Sequence, residues 1–257
     1  MNMGHRVALI QYDIAWQDVK KNLATLECMM QSVEADTFVL SEMFQTGFAT
    51  DPREVAESMS GCTLEWMRRM AQSKDAAIVG SVAIIDEAGA YRNRMLFVKP
   101  SGKVEYYDKR HLFSIGGEAQ FFDRGASRRV VEWRGVRYLL QICYDLRFAV
   151  WSRQRGDYDV AIYSALWPAP RRDVWQLLLR ARAVENQCYV VGVNRTGSEP
   201  QLSYAGDTAL IDPYGRAVVE LGEEERVEVV ELDMSRLEAF RDKFPVGRDA
   251  DNFVITE

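Results

Sequence analysis

Two apolar spacings alternate along the chain. Short unbroken apolar runs read as strands, and apolar residues three and four apart read as helix faces. Strands are predicted over residues 6–11, 37–40, 76–85, 160–164 and 189–193. Hairpins are predicted where 95–99 and 103–107 flank Pro100-Ser101-Gly102, and where 130–133 and 136–142 flank Arg134-Gly135. Two more strands surround the turn sequence Asp212-Pro213-Tyr214-Gly215. Asp18 is placed to cap a helix with Val19, Leu23, Leu26, Met30 and Val33 on one face, at steps of 4, 3, 4 and 3. A second helix covers 64–72. A third covers 172–187, with Val174, Leu177, Leu178, Ala181 and Val184 on one side. Ser235-Arg236-Leu237-Glu238 reads as a capping box opening the last.

These segments interleave with no linker, low-complexity tract or short-period repeat. The chain therefore reads as one α/β domain over residues 1–257. It has more strands and hairpins than a doubly wound sheet needs, so two packed sheets with helices outside fit better.

Composition narrows the class. The 257 residues are 47% hydrophobic and 27% charged, which is globular and can supply a large core. A net charge of -6 gives no general attraction to nucleic acid or anionic lipid. No apolar run approaches the roughly 18 residues of a membrane span. Val7–Ile10 is too short for the apolar stretch of a signal peptide. Four cysteines without a C-x-x-C pair, and only two histidines, speak against zinc and against a disulfide framework. A reduced, cytoplasmic protein is expected. No Gly-x-Ser-x-Gly occurs. Gly192 to Gly197 has P-loop glycine spacing but lacks the phosphate-binding lysine.

A thiol is the chemical candidate. Cys28, beside Met29 and Met30, reads as core; Cys62 as loop before a helix; Cys188 as buried at a strand start. Cys143 differs, because it ends the strand 136–142 and precedes Tyr144-Asp145-Leu146-Arg147-Phe148. A strand, a sharp turn and a helix start present a nucleophile beside free backbone N–H groups. The rival reading is a buried structural thiol. A thiol of ordinary pKa near 8.5 needs a base. His111 is one candidate; Glu42, at the end of an apolar strand, is another once burial raises its pKa.

Three segments carry a resemblance over nearly the whole chain. Ser41-Glu42-Met43-Phe44 with Thr46-Gly47-Phe48, Tyr107-Asp108-Lys109-Arg110-His111-Leu112-Phe113, and Ile142-Cys143-Tyr144-Asp145-Leu146-Arg147-Phe148 look like the glutamate, lysine and cysteine motifs of the nitrilase superfamily of carbon–nitrogen hydrolases. They stand in the right order. Arg180 to Asn186 and Gly206-Asp207-Thr208 match further, and Trp167-Pro168-Ala169-Pro170-Arg171 is similar to the bacterial ω-amidase branch. Ser41 and Ala149 stand where the family commonly has proline; neither change removes a reacting group.

The resemblance implies a four-layer α-β-β-α sandwich, usually a homodimer, and a Glu42-Lys109-Cys143 triad that needs no metal or organic cofactor. In it Glu42 is the base and Cys143 the nucleophile of a thioester pathway. Lys109 and the backbone N–H of Tyr144 hold the oxyanion. Glu118 matches a second glutamate that positions Lys109 and raises the Glu42 pKa; the plain alternative is a loop glutamate paired with an arginine. His111 becomes a scaffold residue and Asp145 a helix cap. Arg147 is expected to bind the acid end of short ω-amido acids such as 2-oxoglutaramate and succinamate; the alternative is a salt bridge to Asp145 or Asp157. Phe48 and Trp167 are candidate pocket walls, equally credible as core. Three other readings stay open: a superfamily hydrolase of N-carbamoyl acids or aliphatic amides, a Cys-His glutaminase-like subunit, and a catalytically silent dimeric scaffold.

Overall fold

The computed structural model describes residues 4–255, so the ends of the domain read over 1–257 lie outside the described residues. In chain order the elements are β1 (His5–Gln11), α1 (Val19–Met30), β2 (Thr37–Val39), α2 (Cys62–Lys74), β3 (Ala77–Ile85), β4 (Tyr91–Val98), β5 (Val104–Asp108), β6 (Val130–Trp133), β7 (Val136–Ile142) and α3 (Ala149–Ser152). There follow β8 (Val160–Ser164), α4 (Arg172–Asn186), β9 (Tyr189–Val193), β10 (Thr196–Glu199), β11 (Leu202–Ala205), β12 (Ala209–Ile211), β13 (Ala217–Glu220), β14 (Arg226–Leu232) and α5 (Met234–Lys243).

Two six-stranded sheets result, ordered β14-β1-β2-β3-β4-β5 and β13-β12-β9-β8-β7-β6, with β10-β11 a separate hairpin. Each has three parallel strands at its centre: β1, β2 and β3 in one, β7, β8 and β9 in the other. The remaining pairings are antiparallel.

Strand alternation builds the layers. Ala8, Ile10 and Ile78 face outward and pack with Leu26, Met30, Leu64 and Met67 of α1 and α2. Their neighbours Val7, Leu9 and Val79 face inward and meet Leu140, Ile162 and Val191 of the second sheet. Ala161, Tyr163 and Val190 turn the other way, onto Trp175, Leu179 and Ala183 of α4. This is the expected sandwich of two sheets between helices.

Local expectations fare unevenly. Asp18 caps α1 by accepting the Lys21 N–H, but the helix stops before Val33 and Cys28 is exposed on it. Cys62 opens α2 instead of preceding it. α5 is capped by Asp233, whose carboxylate accepts from Arg236 N, and not by Ser235. On α4 the buried face is Trp175, Leu179, Arg182, Ala183 and Asn186, while Leu177 and Val184 are exposed. That helix carries apolar residues on both sides, so spacing alone does not choose the inner one.

Candidate active site

Sites on open α/β sheets gather beyond the carboxyl ends of parallel strands. Here β2, β7 and β8 all end at one place. Past β2, Leu40 still pairs with Val79 (2.7 Å), and the chain then turns at Met43, whose φ of 39° is left-handed. Glu42 is thereby sent into the interior, where it is fully buried. Leu166, just past β8, donates its N–H to Glu42 Oε2 at 3.0 Å. Beyond β5, Lys109 continues the pairing with β4 through Asn93 O (2.9 Å). Glu118 opens a short turn after Gly117, where φ is 85° and a side chain would be strained.

These groups form one buried ionic cluster. Lys109 Nζ donates to Glu42 Oε1 at 2.8 Å and to both Glu118 oxygens at 3.0 and 2.9 Å. Asn93 Nδ2 also spans the two carboxylates, at 2.7 Å to Glu42 and 2.9 Å to Glu118. Glu118 Oε2 additionally accepts the Phe113 N–H at 2.6 Å. The pairing of Glu118 with an arginine does not form. Burial raises the Glu42 pKa and Glu118 adds to the rise, against the opposing charge of Lys109. Burial alone would lower the Lys109 pKa, but the two carboxylates outweigh it and hold the ammonium charged.

Cys143 follows β7 and adopts φ 43°, opening a tight 3-10 turn, Cys143–Arg147, where a sharp turn and a helix start were expected. Tyr144 is the second residue of that turn, so its N–H has no carbonyl within the helix to bond. Asp145 fixes the turn from beneath, accepting from Ile142 N (3.0 Å), Tyr107 Oη (2.8 Å) and His111 N (3.0 Å). His111 Nδ1 lies 2.8 Å from the same carboxylate, and its ring stacks on Phe148 at 3.8 Å. That engagement suits a scaffold and leaves the histidine outside the pocket lining. The Cys143 thiol pKa is pushed well up, first by burial and then by the Glu42 charge, with Lys109 opposing. Burial and that charge favour the protonated thiol, with the Glu42 carboxylate beside it.

A small pocket opens over the cluster. Glu42, Lys109, Cys143, Tyr144, Arg147, Phe48 and Trp167 all line it, and Glu118 supports Lys109 from outside the lining. The salt bridges considered for Arg147 do not form: Asp145 is held as above, and Asp157 pairs with Arg128. Instead the Arg147 guanidinium lies over the Trp167 ring at 5.1 Å. Tyr204 and Leu202, from the β10-β11 hairpin, line it too, with Phe113, Leu166, Pro168 and Arg171. Sequence reasoning did not place these six at the pocket and missed Asn93; a polar Arg92-Asn93-Arg94 triplet at the start of an apolar strand was the available signal for the last. Among the described residues no group of three metal-ligating side chains gathers. The arrangement gathers a buried carboxylate, a thiol, a fixed cation and a turn N–H around one small space.

The carbon–nitrogen hydrolase family model matches residues 6–242. The chain belongs to that family. As a carbon–nitrogen hydrolase it is an enzyme that cleaves amides. It is 43% identical to omega-amidase YafV of Escherichia coli strain K12, over 97% of this chain and 98% of that one. It is 34% identical to the 2-oxoglutaramate amidase of Bacillus subtilis strain 168, over 96% and 98% of the two chains. Among solved structures, a CN-hydrolase superfamily protein from Xanthomonas campestris superposes with a TM-score of 0.96 at 39% identity, over 99% of this chain and 100% of that one. The carbon–nitrogen hydrolase fold is thus the nitrilase-superfamily sandwich.

Proposed function

We propose that this hydrolase is an ω-amidase, releasing ammonia from the terminal amide of short ω-amido dicarboxylates such as 2-oxoglutaramate, 2-oxosuccinamate and succinamate. The observation that carries the reading is one pocket holding Cys143 against the Glu42–Lys109 pair, with the unpaired Arg147 cation on its lining. The omega-amidase and 2-oxoglutaramate amidase relatives support it.

In the proposed course Glu42 takes the proton from Cys143 Sγ, and the sulfur bonds to the amide carbon. Lys109 and the Tyr144 N–H stabilise the oxyanion, since a fixed cation and dipole act strongly in a largely buried site. Glu42 passes the proton to the amide nitrogen, the carbon–nitrogen bond breaks and ammonia leaves. A water then gives a proton to Glu42 and its oxygen to the thioester carbon; the acid departs and the proton returns to sulfur. Glu118 and Asn93 hold Lys109 and Glu42 in place. A reduced compartment suits such a thiol, and a cytoplasmic homodimer is part of the proposal, checked by sizing the purified protein.

The test is ammonia release from 2-oxoglutaramate, succinamate, glutamine, N-carbamoyl-alanine and butyramide. The first two are expected to exceed the others in kcat/KM by roughly a hundredfold, the scale of one charge-assisted bond. Equal rates across the panel would remove the ω-amidase reading and leave a general amidase. Glu42→Gln keeps the shape of the side chain but not the base. It is expected to lower kcat by about 10²–10⁴-fold in a protein that still unfolds cooperatively, with some loss of stability because Glu42 accepts at both oxygens; a kcat near wild type excludes Glu42 as the base.

A further inference from the structure

Most guanidinium groups of this acidic chain meet a carboxylate; pairs such as Arg94–Asp108 and Arg137–Asp159 are typical. Two on the lining of the active-site pocket do not. Arg147 and Arg171 have no ion pair among the described residues. Each rests on an aromatic face instead: Arg147 on Trp167 at 5.1 Å, and Arg171 on Phe113 at 5.3 Å.

The backbone of Arg171 is anchored. It ends the short turn Ala169–Arg171, its N–H donates to Pro168 O at 3.0 Å, and its own carbonyl accepts from Trp167 Nε1 at 2.8 Å. From there the side chain reaches Phe113, which packs edge-on against Tyr144 at 5.2 Å. One cation therefore comes from the turn after Cys143 and the other from the turn before α4. Two like charges around one pocket repel one another, and the carboxylate on its lining, Glu42, is already taken up by Lys109. Aromatic support holds a guanidinium in place without using up its N–H donors.

We propose that Arg171 is a second specificity-determining residue, gripping the acid end of the substrate together with Arg147. This rests on the ω-amidase reading and sharpens it. One guanidinium saturates one edge of a carboxylate. A second has most to gain where the acid end carries a further acceptor, as the 2-oxo group next to the carboxylate does. The favoured class is then the ω-amide of a 2-oxo dicarboxylic acid.

The test compares wild type with Arg171→Gln and Arg171→Lys on 2-oxoglutaramate, succinamate and butyramide, with melting curves as a fold control. Arg171→Gln is expected to raise KM about tenfold for succinamate and further for 2-oxoglutaramate, with kcat little changed and butyramide unaffected. Arg171→Lys is expected to fall between, since it keeps charge but loses the fork. A binding readout without turnover is 2-oxoglutarate as a competitive inhibitor, whose inhibition constant should rise in parallel. Unchanged KM values in a wild type that does prefer acid-ended amides overturn the role of Arg171 alone. An equal loss on all three amides marks a structural effect and also overturns it. A wild type indifferent to the acid end overturns the ω-amidase reading, and this inference with it.

Discussion

Cys143→Ala releases ammonia no faster than a blank, a loss of about 10⁴-fold or more, while the protein melts as one unit near the wild-type temperature. The first half follows because no other group on the pocket can form the acyl intermediate. Cys188 is buried beneath α4, and Cys28 and Cys62 are exposed on other helices. The second half follows from the backbone. Position 143 sits at φ 43°, and a non-glycine residue there costs about 1–2 kcal/mol. Cysteine and alanine share that cost, so only the contacts of the sulfur are lost. Steady-state ammonia assays and a thermal scan of the same preparation check both halves. Residual turnover above the blank removes the thioester route.

Lys109→Leu is expected to be the most destabilising change in the site. Glu42 and Glu118 would share one buried space with Asn93 as their remaining common donor. Removing one member of a buried ionic cluster typically costs about 3–5 kcal/mol. The loss should depend on pH, and the sign is definite. Without the ammonium that opposes the rise, burial and the Glu118 charge hold the Glu42 carboxyl above its unfolded pKa. Stability is then fully present below the unfolded value and is lost as pH rises through the raised folded value. Urea unfolding should accordingly show a larger deficit at pH 8 than at pH 5. A deficit that is the same at both, or larger at pH 5, contradicts the ionised cluster. Activity should be lost at either pH, since the fixed cation at the oxyanion is gone.

The residues brought together in the pocket were legible where they end apolar strands. Glu42 after β2 and Cys143 after β7 are chemical side chains at places where a buried strand gives way to a turn. Lys109 was legible by resemblance more than by pattern. The β10-β11 hairpin left no signal: Thr196–Glu199 and Leu202–Ala205 are four residues each, short and partly polar. It nevertheless supplies Tyr204 and Leu202 to the pocket. Asn93 was missed because periodicity marks which face a residue occupies, not which partners a distant loop brings to it. β14 reads as charged and apolar residues mixed, Arg226-Val227-Glu228-Val229-Val230-Glu231-Leu232, since it lies at the edge of its sheet.

The pairing of β1 with β14 places His5 opposite Leu232 and Gln11 opposite Arg226. Of the described strands, β1, the first in the chain, thus waits for β14, the last, before its outer edge is covered. Until then that edge offers unpaired backbone groups, next to Val7, Leu9 and the other apolar residues of β1. Nascent chains cut short before residue 226 should accordingly be sticky and dependent on chaperones. The completed chain closes its own seam.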